Sequence, residues 1–267
     1  MKKNKSGTLL LVLMFLLGLS VMLYPTVSDA INRQHQSYAV SNYTQQVDNM
    51  TAADYSVWFD AADRFNAAIA ADPEALYHPD RFPAYDATLD ITGTGIMGYI
   101  TIPKINVELP IYHGTGDAVL QSGAGHLEGT SLPVGGESTH AVISAHRGLP
   151  RAKLFTHLDQ LEVGDTFTVT VLDRVLTYEV DKITIVLPTE VEDLKVVEGR
   201  DYLTLMTCTP YGINTHRLLV RGRRIATPDN LKHIRVTSEA VRIDPIITAP
   251  LMALPLLVVL LVVLLGG

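Results

Sequence analysis

The chain has 267 residues, 21 Lys and Arg against 28 Asp and Glu for a formal charge of −7, and one cysteine. That length allows one or two domains with a real core. The acidic balance, with no basic block outside the extreme N-terminus, argues against nucleic acid as a partner, and a lone cysteine excludes an internal disulfide or a cysteine-rich metal site.

Residues 1–30 open with a basic head, Met1 to Lys5, and continue into the apolar stretch Thr8 to Tyr24. This pattern is that of a signal peptide or a signal anchor, and it carries the rest of the chain out of the cytosol. Ser28 and Ala30 put small residues where cleavage after Ala30 would need them. Residues 31–71 are expected to be helical. Trp58, Phe59, Phe65 and Ile69 recur at helical spacings, and Thr51 with Asp54 three residues on marks a helix start. Residues 72–95 form a lid or linker, broken by Pro73, Pro79 and Pro83. The Gly93 and Gly95 pair in it is no dinucleotide fingerprint, because no helix pattern follows.

From residue 96 to 228 the texture is that of short strands. Gly98 to Ile105, Val107 to Tyr112, His140 to His146, Asp165 to Leu172, Val175 to Val180 and Lys182 to Val186 all qualify. Tyr202 to Cys208 and Arg217 to Gly222 complete the set. Roughly eight strands with few helices imply an all-β barrel or sandwich. A helical turn is expected at Ala118 to Gln121 and an amphipathic helix at Ala152 to Leu161. Thr189 with Glu192 fits a capping box for another. A linker, 229–245, carries Lys232, Arg235 and Arg242 and leads to the uncharged run 246–265, long enough for a transmembrane helix.

The only thiol, Cys208, ends one strand, and Arg217 begins the next across a loop with Pro210, Gly212 and Asn214. If these strands pair as a hairpin, thiol and guanidinium meet at one sheet end, a nucleophile beside a cation able to steady an oxyanion. The thiol needs a proton partner. His146 is the best placed of the nine histidines, since it ends an apolar strand as Cys208 does. His140 belongs at the opposite end of that strand, His216 points to the other side of its own, and His113 and His126 lie in Gly-rich loops with no matching partner. Glu190, Glu192 and Asp193 are explained by a helix first turn, so no metal ligands and no cofactor are assigned.

Together, Thr204-Leu-x-Thr-Cys208 with Arg217, Ser144-Ala-His146-Arg-Gly-Leu-Pro, Gly98-Tyr-Ile-x-Ile-Pro-Lys-Ile and Gly125-His-Leu-Glu-Gly-Thr-Ser-Leu-Pro resemble a sortase. Over about residues 50–228 the chain is similar to the class C, pilus-assembling sortases of Gram-positive bacteria. The resemblance implies an eight-stranded sortase-type β-barrel with N-terminal helices and a C-terminal transmembrane helix. It implies Cys208 as nucleophile, His146 as acid and base, and Arg217 as oxyanion or substrate stabiliser. It also implies the reaction: cleavage of a Leu-Pro-x-Thr-Gly-like signal through a thioacyl-enzyme, then transfer to a pilin lysine amine. The partners implied are pilin subunits bearing that signal and an acceptor lysine, at the cell membrane with the catalytic domain outside. Class C enzymes carry an Asp-Pro-aromatic lid, the Asp near the catalytic Arg and the ring over the Cys. Here Asp80 and Phe82 are the residues expected in those roles, although His78-Pro-Asp-Arg-Phe82 departs from the motif.

Two further readings stand beside this one. The same three residues would serve a sortase anchoring surface proteins to peptidoglycan, and a non-catalytic membrane-anchored scaffold would use Cys208 only for packing. A papain-like protease is disfavoured by the order His, Cys, Arg with no asparagine to orient the imidazole. L,D-type wall transpeptidases usually keep an Arg two residues after the Cys, where this chain has Pro210.

Overall fold

A computed structural model describes residues 5–229. The transmembrane helix expected at 246–265 and most of its linker lie outside the described residues. Two helices precede the barrel, α1 (Lys5–Asp48) and α2 (Ala52–Ala71). α1 runs unbroken across residue 30 and accommodates Pro25.

The start of α2 forms as its sequence predicts. Thr51 Oγ1 accepts the Asp54 N–H, and the Asp54 carboxylate accepts the Thr51 N–H at 2.8 Å, a reciprocal capping box. Those hydrogen bonds hold the Asp54 carboxyl below its usual range. Phe59, Ala62, Phe65, Asn66 and Ile69 make the buried stripe at i, i+3 and i+4 spacings.

The strands are β1 (Ile96–Ile102), β2 (Val107–His113), β3 (Ala124–His126), β4 (Thr139–Ser144), β5 (Thr166–Val171), β6 (Arg174–Val186), β7 (Asp201–Thr209) and β8 (His216–Ile225). They close into a barrel in the order β1-β2-β3-β4-β7-β8-β6-β5. The two strands expected over 175–186 are one, β6, interrupted by a register shift between Val180 and Lys182. Asp181, at that bulge, turns out to pair with Arg221 through two 2.9 Å hydrogen bonds.

Closure abolishes free edges and packs alternate residues inward. Ala141, Ile143 and Ala145, then Leu203 and Leu205, then Leu218 and Val220, belong to the buried core. β4 and β7 run parallel, and β8 is antiparallel to both β7 and β6. The C-terminal ends of β4 and β7 and the start of β8 therefore share one end of the barrel. α2 closes the other end. Its Phe59 ring lies 3.4 Å beneath the Arg174 guanidinium, and Asn66 bonds both the N–H and the carbonyl of Leu132.

Two expected helices do not form. A short α3 (Asp117–Ser122) appears where a helical turn is expected. Residues 152–161, however, contain only turns and a 3₁₀ segment, Leu158–Gln160. Their backbone is claimed elsewhere: Phe155 donates to the His146 carbonyl, Ala152 bridges to Leu149, and Leu154 has φ of 41°. The apolar side chains that look helical in sequence, Leu154, Phe155, Leu158 and Leu161, are buried nonetheless. Thr189 caps nothing either. The only helical residues nearby are the 3₁₀ turn Glu192–Leu194, which begins after Val191.

Candidate active site

The strand register builds the site. Cys208 on β7 is the direct partner of Arg217 on β8. On the other side of β7 the last parallel pair is Ser144 with Met206, and the Ala145 N–H still donates to the Met206 carbonyl at 3.2 Å. Continuing that register sets His146 level with Cys208. Adjacent strands lie about 5 Å apart, so the backbone positions of 146, 208 and 217 fall in one row at the ends of β4, β7 and β8. They share a face as well. Val142, Met206 and Leu219 pack together on the outside of the barrel, and each is two or four residues from its row member on the same strand.

Each member is held by its backbone surroundings. The Thr207 hydroxyl, buried, donates to the Ala145 carbonyl at 2.8 Å and ties β7 to β4 just before the thiol. The His146 carbonyl accepts from the buried Phe155. Cys208 is a free thiol, partly exposed. The Pro210 carbonyl accepts the N–H groups of Ile213 and Asn214 and closes the loop to Arg217. The Thr209–Pro210 peptide is cis. Arg217 Nη1 donates to the carbonyls of Asn214 and His216, which fixes the guanidinium plane and leaves Nε and Nη2 without a protein partner among the described residues.

Burial pushes the half-buried His146 imidazole below its ordinary 6.5; Asp117 opposes this and Arg151 adds to it. The neutral ring is therefore the resting form at neutral pH. Its contribution to stability is present above 6.5 and is lost as pH falls below that value, because the unfolded chain then binds the proton more readily. An NMR titration of His146 should show Arg151→Ala moving its pKa up and Asp117→Asn moving it down. Movement in the opposite directions would contradict this account of the site.

Three other histidines are structural. His140 is buried on β4, donates from Nδ1 to the Lys195 carbonyl and accepts from the Thr204 hydroxyl, and its pKa falls to about 4. His126 and His113, expected in loops without partners, instead end β3 and β2. His126 accepts from the Tyr85 hydroxyl and donates to the Ser131 carbonyl, and burial takes its pKa to about 4. The His113 ring nitrogens face the Gly95 and Thr88 carbonyls.

Arg147 carries no assignment from sequence reasoning, yet it braces the site. Its guanidinium pairs with Asp159, reaches the Thr209 hydroxyl and lies over the exposed Tyr211 ring, joining the His146 loop to the Cys208 loop. The lid residues are placed differently from expectation. Phe82 packs on Phe65 of α2 at 5.7 Å rather than entering the cluster beside the thiol. Asp80 is exposed, Arg81 pairs with Asp72, and Arg217 bonds only backbone carbonyls. From the 72–95 segment it is Leu76 that packs with Met206 and Leu219 on the face of the row. The acids at 190–193 are also accounted for, with Asp193 paired to Lys182 at 2.6 Å and Glu192 to Lys195.

The arrangement suits nucleophilic acyl transfer. It offers a sulfur to form a covalent intermediate, an imidazole to carry the proton and a fixed cation for the developing oxyanion. Comparison with known proteins agrees with this. The sortase domain family matches residues 100–225. Sortase A of Streptococcus agalactiae serotype III (strain NEM316) is 34% identical over 117 residues, 43% of this chain and 47% of that protein. Sortase D of Bacillus subtilis (strain 168) is 32% identical over 131 residues, 48% of this chain and 63% of that protein. The match thus spans about half the length of the streptococcal sortase A. Among solved structures, sortase C1 from Streptococcus agalactiae superposes with a TM-score of 0.66 at 47% identity, covering 72% of this chain and all of that one. Streptococcus pneumoniae sortase C gives 0.66 at 46%, covering 71% and 97%.

Proposed function

The chain belongs to the sortase family, and from that premise we propose that it is a membrane-held cysteine transpeptidase that polymerises pilin subunits. The observation that supports the reading is Cys208 paired with Arg217 across β7 and β8, next to the end of β4 that leads into His146. Cys208 Sγ attacks the threonine carbonyl of a Leu-Pro-x-Thr-Gly-like signal. The thiol proton passes to His146 and from there to the departing glycine amine as the C–N bond breaks. Arg217 faces the oxyanion of each tetrahedral intermediate. A pilin lysine amine then attacks the thioester, an isopeptide bond forms and the thiol is regenerated. The thioester conserves the energy of the cleaved peptide bond, so no nucleotide is needed outside the cell.

The pilin acceptor is supported by the S. pneumoniae neighbour, whose structure is described in terms of pilin substrate specificity, and by a sortase C1 of a group B streptococcal pilus island at 45% identity. In this reading residues 1–30 are a retained signal anchor. Asp29 is buried in the fold and accepts the Lys153 N–H at 2.9 Å, a contact that cleavage after Ala30 would remove. Incubating the enzyme with purified pilin should give a ladder of covalent multimers. A thioacyl adduct on Cys208 without any ladder would reassign the acceptor to a peptidoglycan amine.

A further inference from the structure

Strand direction and the path of α1 together decide which way the site faces. His146, Cys208 and Arg217 lie at the end of the barrel shared by the termini of β4 and β7 and the start of β8. α1 meets the molecule at this same end. Asp29 accepts the Lys153 N–H and Asn32 donates to the Arg151 carbonyl at 2.7 Å, both in the loop that follows His146. The helix then descends along β1 and β2. At the opposite end the buried Tyr43 hydroxyl accepts the Leu172 N–H and donates to the Met97 carbonyl. The apolar stretch Thr8 to Tyr24 is continuous with this helix, and so projects beyond the catalytic end. Asp29 lies five positions after Tyr24, about 8 Å of helix at 1.5 Å per residue.

The loops carry a matching asymmetry. Of the large apolar side chains exposed in loops between strands, Val163 (68%), Leu187 (46%), Tyr211 (60%) and Ile213 (68%) stand at the catalytic end. Among the described residues only Val197 (44%) stands so at the other. Exposed apolar and aromatic loop tips at one end of a membrane-anchored domain suit the headgroup layer.

We propose that the barrel is mounted with its catalytic end toward the membrane, the apolar loop tips at headgroup level. The thiol then acts on a polypeptide emerging from the same bilayer, with its reactive bond held within about 10–20 Å of the surface, the height set by the first turns of α1 above Tyr24. Chains approaching from the far side meet the end closed by α2. The proposal rests on reading α1 as a retained membrane anchor. A second span at 246–265 is compatible, since the 20 residues from 226 to 245 reach about 66 Å when extended.

The test uses the full chain in vesicles of phosphatidylcholine and phosphatidylglycerol carrying a rhodamine headgroup lipid. In a Cys208→Ser background a donor dye is placed at Ile213→Cys or at Asp173→Cys, exposed positions at opposite ends. Val163→Cys and Glu198→Cys form a second pair in case one variant folds poorly. Energy transfer from positions 213 and 163 should exceed that from 173 and 198 by about twofold or more, given a barrel height of roughly 25 Å. Equal or reversed efficiencies on vesicles that carry the protein would overturn the orientation and leave the anchor intact. A chain that fails to float with the vesicles would instead overturn the anchor reading, and the orientation with it.

Discussion

Cys208→Ala should abolish the thioacyl adduct with a Leu-Pro-x-Thr-Gly peptide and reduce transpeptidation by a factor on the order of 10⁶, the scale of losing a nucleophile. The thermal midpoint should hardly move, because the thiol is partly exposed at a strand end and makes no disulfide. The two neighbours in the row should follow in order. His146→Ala removes the proton carrier and should cost about 10²–10⁴ in rate. Arg217→Ala removes an oxyanion donor and should cost about 10²–10³. Arg217→Lys should recover little, because an ammonium keeps the charge but cannot hold the two carbonyls of Asn214 and His216 and still present a second donor edge. Quantitative mass spectrometry of the adduct and a ladder assay read these effects separately. A Cys208→Ala enzyme that still joins pilin would end the mechanism, and a fully stable but equally inactive wild type would favour the scaffold reading.

Gly222→Ala should destabilise the barrel by about 2–3 kcal/mol and lower the thermal midpoint by roughly 4–12 °C. Gly222 is on β8, paired with Leu203 and Val180. A methyl group there would sit 2.7 Å from Cζ of Phe167 and 2.8 Å from Cβ of Tyr178. Those two rings stack at 5.7 Å and both are buried, in an interior packed too closely to yield freely. Thinning the obstruction with Phe167→Leu should make the double variant more stable than the sum of the two single effects predicts. Calorimetry of the four chains measures that coupling. An unchanged midpoint for Gly222→Ala would show that the interior is looser than its packing implies.

The hairpin that joins Cys208 to Arg217 was legible in the sequence because its signals are local: a strand pattern, a Pro-Gly-Asn loop and a second strand pattern. The α2 cap was legible for the same reason, since Thr51 and Asp54 satisfy each other within one turn. His146 could be found from its place at the end of an apolar run. What failed depended on partners distant in sequence. Residues 152–161 have helical spacing, but Phe155 gives its N–H to His146 and the helix ladder never starts. Phe82 is aromatic, like a lid residue, yet Phe65 on α2 offers it a ring to pack on.

The amino-acid order alone determined the hairpin that sets Cys208 opposite Arg217, the cap of α2 and the long apolar N-terminal segment, because periodicity, turn chemistry and composition act over a few residues. Only the tertiary structure decided that β4 lies parallel beside β7, which brings His146 to the thiol, that Gly222 must lack a side chain, and that α1 enters at the catalytic end. Each of these follows from barrel closure, and closure is a property of contacts between segments that no local pattern encodes.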